Sequence, residues 1–330
     1  MTKLERMILR SKPIAFIAHK SKKVYLPGHE DLHLYDVTKF FLKQIDKLGI
    51  NERASAISFN LIMALPAAVL FLFSIIPYLP QSEDLQLQVL SLFKDIAPNS
   101  GTYTFIRNLL DGLMERHVGV FSFGFVLLIF YASNAMIGVI RTFDRSVLEN
   151  KKYFLHKRLR AIKITCILIL LVLISATLLI GQDEFADLLK SIFQMKRKAR
   201  IQWWNGVRWF ILVGFLFYGI SLIYKYAPSV KKRWSLVSPG SLLATVLTLL
   251  TAVLFSYWVN HFARFDRVYG SIGTVLVIML LIHLNSLILL IGFELNVSIM
   301  LLKTEREEAL KEVAAEPEME EINGMVVKVV

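Results

Sequence analysis

Two places in this sequence combine reactive residue types with a telling spacing. The first is His29-Glu30-Asp31-Leu32-His33. On a helix, the pattern H-E-x-x-H brings two imidazoles together one turn apart to hold zinc, and the glutamate serves as general base. Here Pro27 and Gly28 come directly before the motif, Tyr35 and Asp36 open the next helix, and no apolar face anchors the five residues. No third ligand is identifiable. His29 and His33 therefore stand as metal candidates only, and no metal, no cofactor and no catalytic residue is expected.

The second place is a set of polar residues within long apolar runs, where ionisable groups are costly and mark function by default. Glu294 and Arg141 each lie 22 residues beyond the start of such a run. The two runs point the same way, so the charges reach similar depth, and pairing them would lower the cost of burying each. Tyr131, Asn134, Gly138, Arg141 and Arg145 recur at helical spacing and form one polar stripe. Ser58 and Asn60 near one end of the first run, and Asn296 near the matching end of the last, extend the polar set. His283 is three turns before Glu294 and shares its face, close to the expected midplane, where a histidine relays protons or bonds a neighbouring helix. Together these residues predict a polar path or gate. Interhelical hydrogen bonding that holds a bundle together accounts for the same residues.

The elements that must position them are six apolar runs: Ala54–Leu79, Gly119–Ile140, Ile162–Gly181, Val207–Tyr224, Ser241–Asn260 and Ile272–Ile299. At about 1.5 Å per residue each crosses, or nearly crosses, a hydrocarbon layer roughly 30 Å thick. Lipid offers the backbone no hydrogen bonds, so each run must be a helix. The predicted fold is all-α, a polytopic membrane bundle of six transmembrane helices with amphipathic interfacial helices. A mean hydropathy of +0.54 and 55% hydrophobic residues fit this class and argue against a soluble enzyme. Ile14–Ala18 is too short for a signal peptide, which leaves targeting to the first span. The one cysteine, Cys166, cannot form an intrachain disulfide.

Lys and Arg number 22 in the N-terminal segment and the two loops on its side, and 10 in the other three loops, so the positive-inside rule places both termini in the cytoplasm. The cluster Lys196, Arg197, Lys198 and Arg200, beside Trp203 and Trp204, falls on the sparser side. The net charge is +12, and an acidic tail after Leu302 leaves +16 on the rest. Basic loops held against anionic lipid explain that charge better than nucleic acid does.

Three amphipathic helices are predicted outside the spans. One is Asp36–Ile50, with Val37, Phe40, Phe41, Ile45 and Leu48 on its apolar face. The others form a hairpin around Leu85–Ile96 and Ile106–Met114, turning at Pro98–Gly101. The domain reading is 1–53 as an N-terminal cytoplasmic segment, 54–302 as the membrane domain and 303–330 as an acidic tail, helical at first and then disordered.

Tyr269-Gly270-Ser271-Ile272-Gly273, the apolar run that follows, and Leu290-Ile291-Gly292-Phe293-Glu294-Leu295-Asn296 resemble the YihY/virulence factor BrkB family of bacterial inner-membrane proteins. Ala54–Asn60 leading to Pro66 and Pro77 adds to the resemblance, which covers about residues 36 to 302. It implies a six-helix plasma-membrane protein. Members have carried the name ribonuclease BN, but the family supplies no agreed catalytic residues. The chain has no P-loop, dinucleotide fingerprint or G-x-S-x-G. The expected function is a transporter or flippase-like envelope protein, acting on a small molecule or lipid, with membrane lipids as partners. The alternatives are a membrane-associated ribonuclease, a zinc-dependent hydrolase using His29 and His33, and a structural envelope protein. Substrate, coupling ion and oligomeric state do not follow from the sequence.

Overall fold

The computed structural model describes residues 25–26, 29–47, 49–78, 118–147, 154–180, 204–230, 234–261 and 271–327, with scattered positions between 83 and 112. Among the described residues six helices are long and apolar enough to cross a membrane. They are α2 (Ile50–Ile75, closed by a 3-10 turn at Ile76–Tyr78), α3 (Val118–Ser146), α4 (Phe154–Ile180), α5 (Trp204–Tyr226), α6 (Pro239–His261) and α7 (Ser271–Val327). Each coincides with one of the six expected runs. The chain divides into two compact units, residues 51–289 and residues 1–50 with 290–330.

In the first unit, α2 buries one stripe: Arg53 and Ala54, Ile57 and Ser58, then Ala64, Ala67, Phe71 and Ser74. That i, i+3, i+4, i+7 spacing is the face a helix turns to a partner. The opposite face carries Phe59, Met63, Val69 and Leu72, all exposed, as lipid-facing side chains must be. Pro66 removes one backbone donor without ending the helix, and Pro77 lies in the 3-10 turn that does.

The partner of the buried stripe is α3, and the two helices run antiparallel. Asn60 meets Gly138, and farther along Leu70, Phe71 and Ser74 meet Gly124. Phe71 then packs on Phe121 and Phe125, with ring centroids 5.7 and 5.5 Å apart, and Tyr78 on Phe121 at 5.1 Å. Each step forward along α2 is matched by a step back along α3. Without a hydrophobic driving force in lipid, such closeness needs small residues at the seam, and the two glycines supply it. A Cβ at Gly124 would sit 3.6 Å from the Phe71 Cα, so the backbones themselves approach there.

The helix starts and stops follow local chemistry. Ser238 caps α6: its Oγ accepts the Ser241 N–H at 3.2 Å, the Ser241 Oγ accepts the Ser238 N–H at 3.1 Å, and Pro239 occupies the first helical position. After α5, Pro228 stops the helix. Of the predicted hairpin between α2 and α3, Leu85, Leu90 and Leu110 are described and pack with Ile76 and Phe73 at the end of the first span. Its turn at Pro98–Gly101 lies outside the described residues, as do Lys196–Arg200 and Trp203.

In the second unit, α1 (Leu34–Lys47) is the expected amphipathic helix, shifted two residues toward the N-terminus. It ends early because Gly49 adopts φ 56°, a left-handed conformation that favours glycine and breaks the helix before Ile50 begins α2. Val37, 1% exposed, packs with Ile299, Leu295 and Leu302 of α7, while Phe40, Phe41 and Ile45 on the same apolar face are half-buried. A short antiparallel ribbon precedes it, β1 (Tyr25–Leu26) with β2 (His29–His33). At the other end of the unit α7 continues as helix through Pro317 to Val327, so the acidic tail is helical for longer than a short extension.

Candidate functional site

Most of the buried hydroxyls need no ligand. Ser58 donates to the Ala54 carbonyl at 2.7 Å, Ser133 to Phe130 at 3.0 Å, Thr142 to Gly138 at 2.8 Å and Thr245 to Ser241 at 2.8 Å. Each returns its proton to its own helix one turn back, the cheapest way to carry a hydroxyl through lipid. Asn60 does the same with Ala56 at 2.8 Å.

Other polar groups tie different helices together. Arg53, 5% exposed, donates from Nη2 to the Thr142 carbonyl and to Ser146 Oγ, both at 2.7 Å, and so fastens the start of α2 to the end of α3. Asp144 accepts Lys157 Nζ at 2.7 Å and the Ser229 N–H at 3.0 Å. Arg160 reaches Ser229 Oγ at 3.0 Å and the Ala227 carbonyl at 3.3 Å. The segment after α5 is thereby held by both α3 and α4. Tyr224 donates to the Leu289 carbonyl at 2.7 Å and sets its ring edge-on to Phe143. None of these ties stood out in the sequence, because they join residues far apart in the chain; a charge or small polar residue at each span end was the available signal.

His283 belongs with these ties. Its Nε2 lies 3.2 Å from Asn51 Oδ1, and its Nδ1 lies 3.4 Å from Ser58 Oγ. Asn51 is in the first turn of α2 and Ser58 two turns on, so the imidazole sits level with the start of that span and not at its middle. Depth counted along the run Ile272–Ile299 puts it near the middle, but the helix that carries it is apolar enough over Val275–Glu308 to be longer than a bilayer needs.

One face of α3 remains open. Phe123, Leu127, Phe130, Asn134, Arg141 and Arg145 lie within about 60° of one another around the helix at 3.6 residues per turn. Phe123, Phe130, Arg141 and Arg145 are exposed, and Leu127 and Asn134 half-buried. On one side of this stripe the row of Gly124, Gly138, Thr142 and Ser146 meets α2. On the other side Asp144 meets α4, and behind it Phe143 meets α5. From α4, Arg158 reaches over the stripe: its Nη1 donates to Asn134 Oδ1, and its guanidinium stands 5.2 Å from the Phe130 ring centroid. The stripe is about 33 Å long, and Asn134 marks its middle. From Asn134 to Arg145 it is polar and cationic; from Phe130 to Phe123 it is apolar.

The expected path residues thus separate. Asn134 and Arg141 lie on the open stripe, while Asn60 abuts Gly138 at its α2 edge. Ser58 and His283 belong to a tie between helices. In the second unit Glu294 is 0% exposed and Asn296 4%, whereas Arg141 is exposed.

The family model for virulence factor BrkB matches residues 41–317, which takes in every helix just described from α2 to most of α7. The chain belongs to the virulence factor BrkB family. Within the reach of similar proteins, the ribonuclease-like protein YfkH of Bacillus subtilis is 27% identical over 261 residues, covering 78% of this chain and 94% of YfkH. A UPF0761 membrane protein of Haemophilus influenzae is 22% identical over 77% of this chain and 91% of its own length. One of Pseudoalteromonas translucida is 30% identical over 27% of this chain and 31% of its own. No solved structure matches.

The BrkB match includes the whole α3 stripe and excludes His29 and His33. Those two residues occupy β2, where four steps of about 3.3 Å spread them about 13 Å apart along the strand. The helical spacing that lets two imidazoles share one zinc is not available there. Among the described residues no group of three His, Cys, Asp or Glu side chains is placed to hold a metal ion.

Proposed function

We propose that this BrkB-family membrane protein moves an amphiphile, most simply a lipid, along the open face of α3. The observation that carries the reading is the zoning of that face. Polar and cationic residues run from the end of the span to its middle, and apolar residues continue beyond. A ligand with a polar head and apolar chains fits that order, and a free polar solute does not. Arg158 and Asn134 stand where a head drawn in from one leaflet would arrive at mid-depth. Arg158 and Asn134 also tie α4 to α3, and ionisable groups within a span are costly enough to be functional candidates by default. The excess of Lys and Arg on the side of the N-terminus supports cytoplasmic termini in a bacterial plasma membrane, which makes the inner leaflet the side of entry. Reporter fusions at both ends check that orientation.

The test is translocation by the purified full-length protein in vesicles. Lipid carrying a fluorescent headgroup is bleached from outside by a membrane-impermeant reductant, with and without an imposed proton gradient. The protein is expected to expose fluorophore beyond the outer-leaflet fraction, and Asn134→Leu to slow this. Bleaching that stays at the level of protein-free vesicles in both conditions would sink the reading.

A further inference from the structure

We propose that the polar half of the α3 stripe is a binding site for an anionic phospholipid headgroup, with Arg158, Arg141 and Arg145 as the residues that select it. This deepens the reading of the stripe as a lipid path and rests on it for the direction from which lipid enters.

Charge complementarity names the ligand. Three arginines share this half of the stripe, Arg141 and Arg145 exposed on α3 itself and Arg158 reaching across from α4. The stripe contains no carboxylate between Phe123 and Arg145. Asp144, next in sequence to Arg145, faces α4 and is engaged by Lys157 and the Ser229 N–H. Among the described residues no ion pair occupies Arg141, Arg145 or Arg158. Glu52, exposed in the first turn of α2, is the acidic residue toward that end of the neighbouring helix.

Guanidinium geometry narrows the chemistry further. Arginine presents paired N–H donors that match two oxygens of a phosphate, and it is less strongly hydrated than lysine, so it gives up water more readily at mid-depth. Arg158 is already oriented: its Nη1 donates to Asn134 Oδ1, and its guanidinium stands 5.2 Å from the Phe130 ring centroid. Below the head, Phe130, Leu127 and Phe123 continue the same line and offer acyl chains an apolar track. A soluble phosphate would use the arginines but not the track. The occupant to which both halves are fitted is a phospholipid with net negative charge.

The experiment uses the full chain reconstituted in phosphatidylcholine vesicles, with spin-labelled phosphatidylglycerol or phosphatidylcholine as probe. Electron spin resonance reads the fraction of each lipid immobilised at the protein. Phosphatidylglycerol is expected to associate at least about fivefold more strongly, the worth of one arginine near a headgroup. The triple variant R141Q/R145Q/R158Q should bring the ratio to one, and R141K/R145K/R158K should retain most of it. Equal association of both lipids in the unsubstituted protein, or a preference that survives the triple Gln change, would overturn the site. Should the Gln variant fail to fold, the unsubstituted protein still decides: an electrostatic headgroup site loses its preference as salt is raised, and a preference insensitive to salt counts against it. Inorganic phosphate at matched ionic strength should leave the ratio unchanged; displacement would reassign the arginines to a soluble anion. Flux that ignores headgroup charge would remove this site while leaving the proposed translocation, and preference without flux would do the reverse.

Discussion

The two faces of α3 obey different rules. The face toward α2 is built for contact: Gly124 and Gly138 let the helices close, and Thr142 and Ser146 receive the buried Arg53. Every polar group named there has a partner that explains its presence. The open face, a third of a turn away, holds three arginine heads and one amide around a line of exposed aromatic and aliphatic side chains. Arg158 is held by Asn134 and Phe130, whereas packing explains neither Arg141 nor Arg145. The contrast teaches that a polar residue in a membrane span is informative only after its helix ties are counted. By that measure Ser58, Asn60 and His283 lose much of their claim to a path, Asn134 shares its claim with a tie to Arg158 of α4, and Arg141 keeps its own.

The largest expected effect comes from closing the gap on the packed face. At Gly138 a Cβ would meet Asn60 Nδ2 at 2.9 Å, and the full side chain of Gly138→Leu must push α2 away. Overpacking of this kind costs about 1–3 kcal/mol in ordinary cores, and here it also strains the neighbouring Arg53 contacts. The melting midpoint in detergent should fall by several degrees and the amount of extractable protein should drop. A Leu tolerated at Gly138 with no loss would mean the seam is looser than the distances say, and the comparison between the faces would weaken.

Arg53→Ala is next. It removes two hydrogen bonds made by a charged donor, each worth about 1.5–3 kcal/mol, offset in part by relief from burying the charge. A net loss of roughly 2 kcal/mol is expected. Arg53→Lys should recover part of that loss, because both bonds leave one nitrogen, Nη2, and an ammonium also carries donors for two acceptors. Translocation per folded molecule should stay close to normal in both variants. If Arg53→Ala left thermal stability intact but abolished flux, the arginine would belong to the path and not to the seam.

How far these faces could be read from sequence depends on the physics behind each. Six runs of apolar residues are legible because the bilayer imposes length and composition at once. The polar stripe from Asn134 to Arg145 is legible because it repeats with the helix period inside one span. Arg158 over Asn134, Lys157 with Asp144, and Arg53 with Thr142 are not, since which helix lies beside which has no periodic signature. Arg53 was counted among the charges of the N-terminal segment, yet it is the buried cation of the first span. α1 is legible as an amphipathic helix, but the packing of its Val37 on Ile299 is not. An apolar stripe says that a face is covered and does not say by what.

The smallest effect on stability should come from the open face, and it is the sharpest test of the contrast. Arg141 and Arg145 are exposed, make no ion pair among the described residues, and sit one turn apart, so they repel each other slightly. Replacing both by Gln should therefore leave the melting midpoint within the range of ordinary surface changes, about ±0.5 kcal/mol, or raise it a little. The same double variant should lower the flux of an anionic lipid while Gly138→Leu lowers only the amount of folded protein. A seam residue and a path residue on one helix would then separate on two independent readouts. If the double Gln variant melts early instead, the arginines are holding something in place, and the open face is a second seam whose partner lies elsewhere in the assembly.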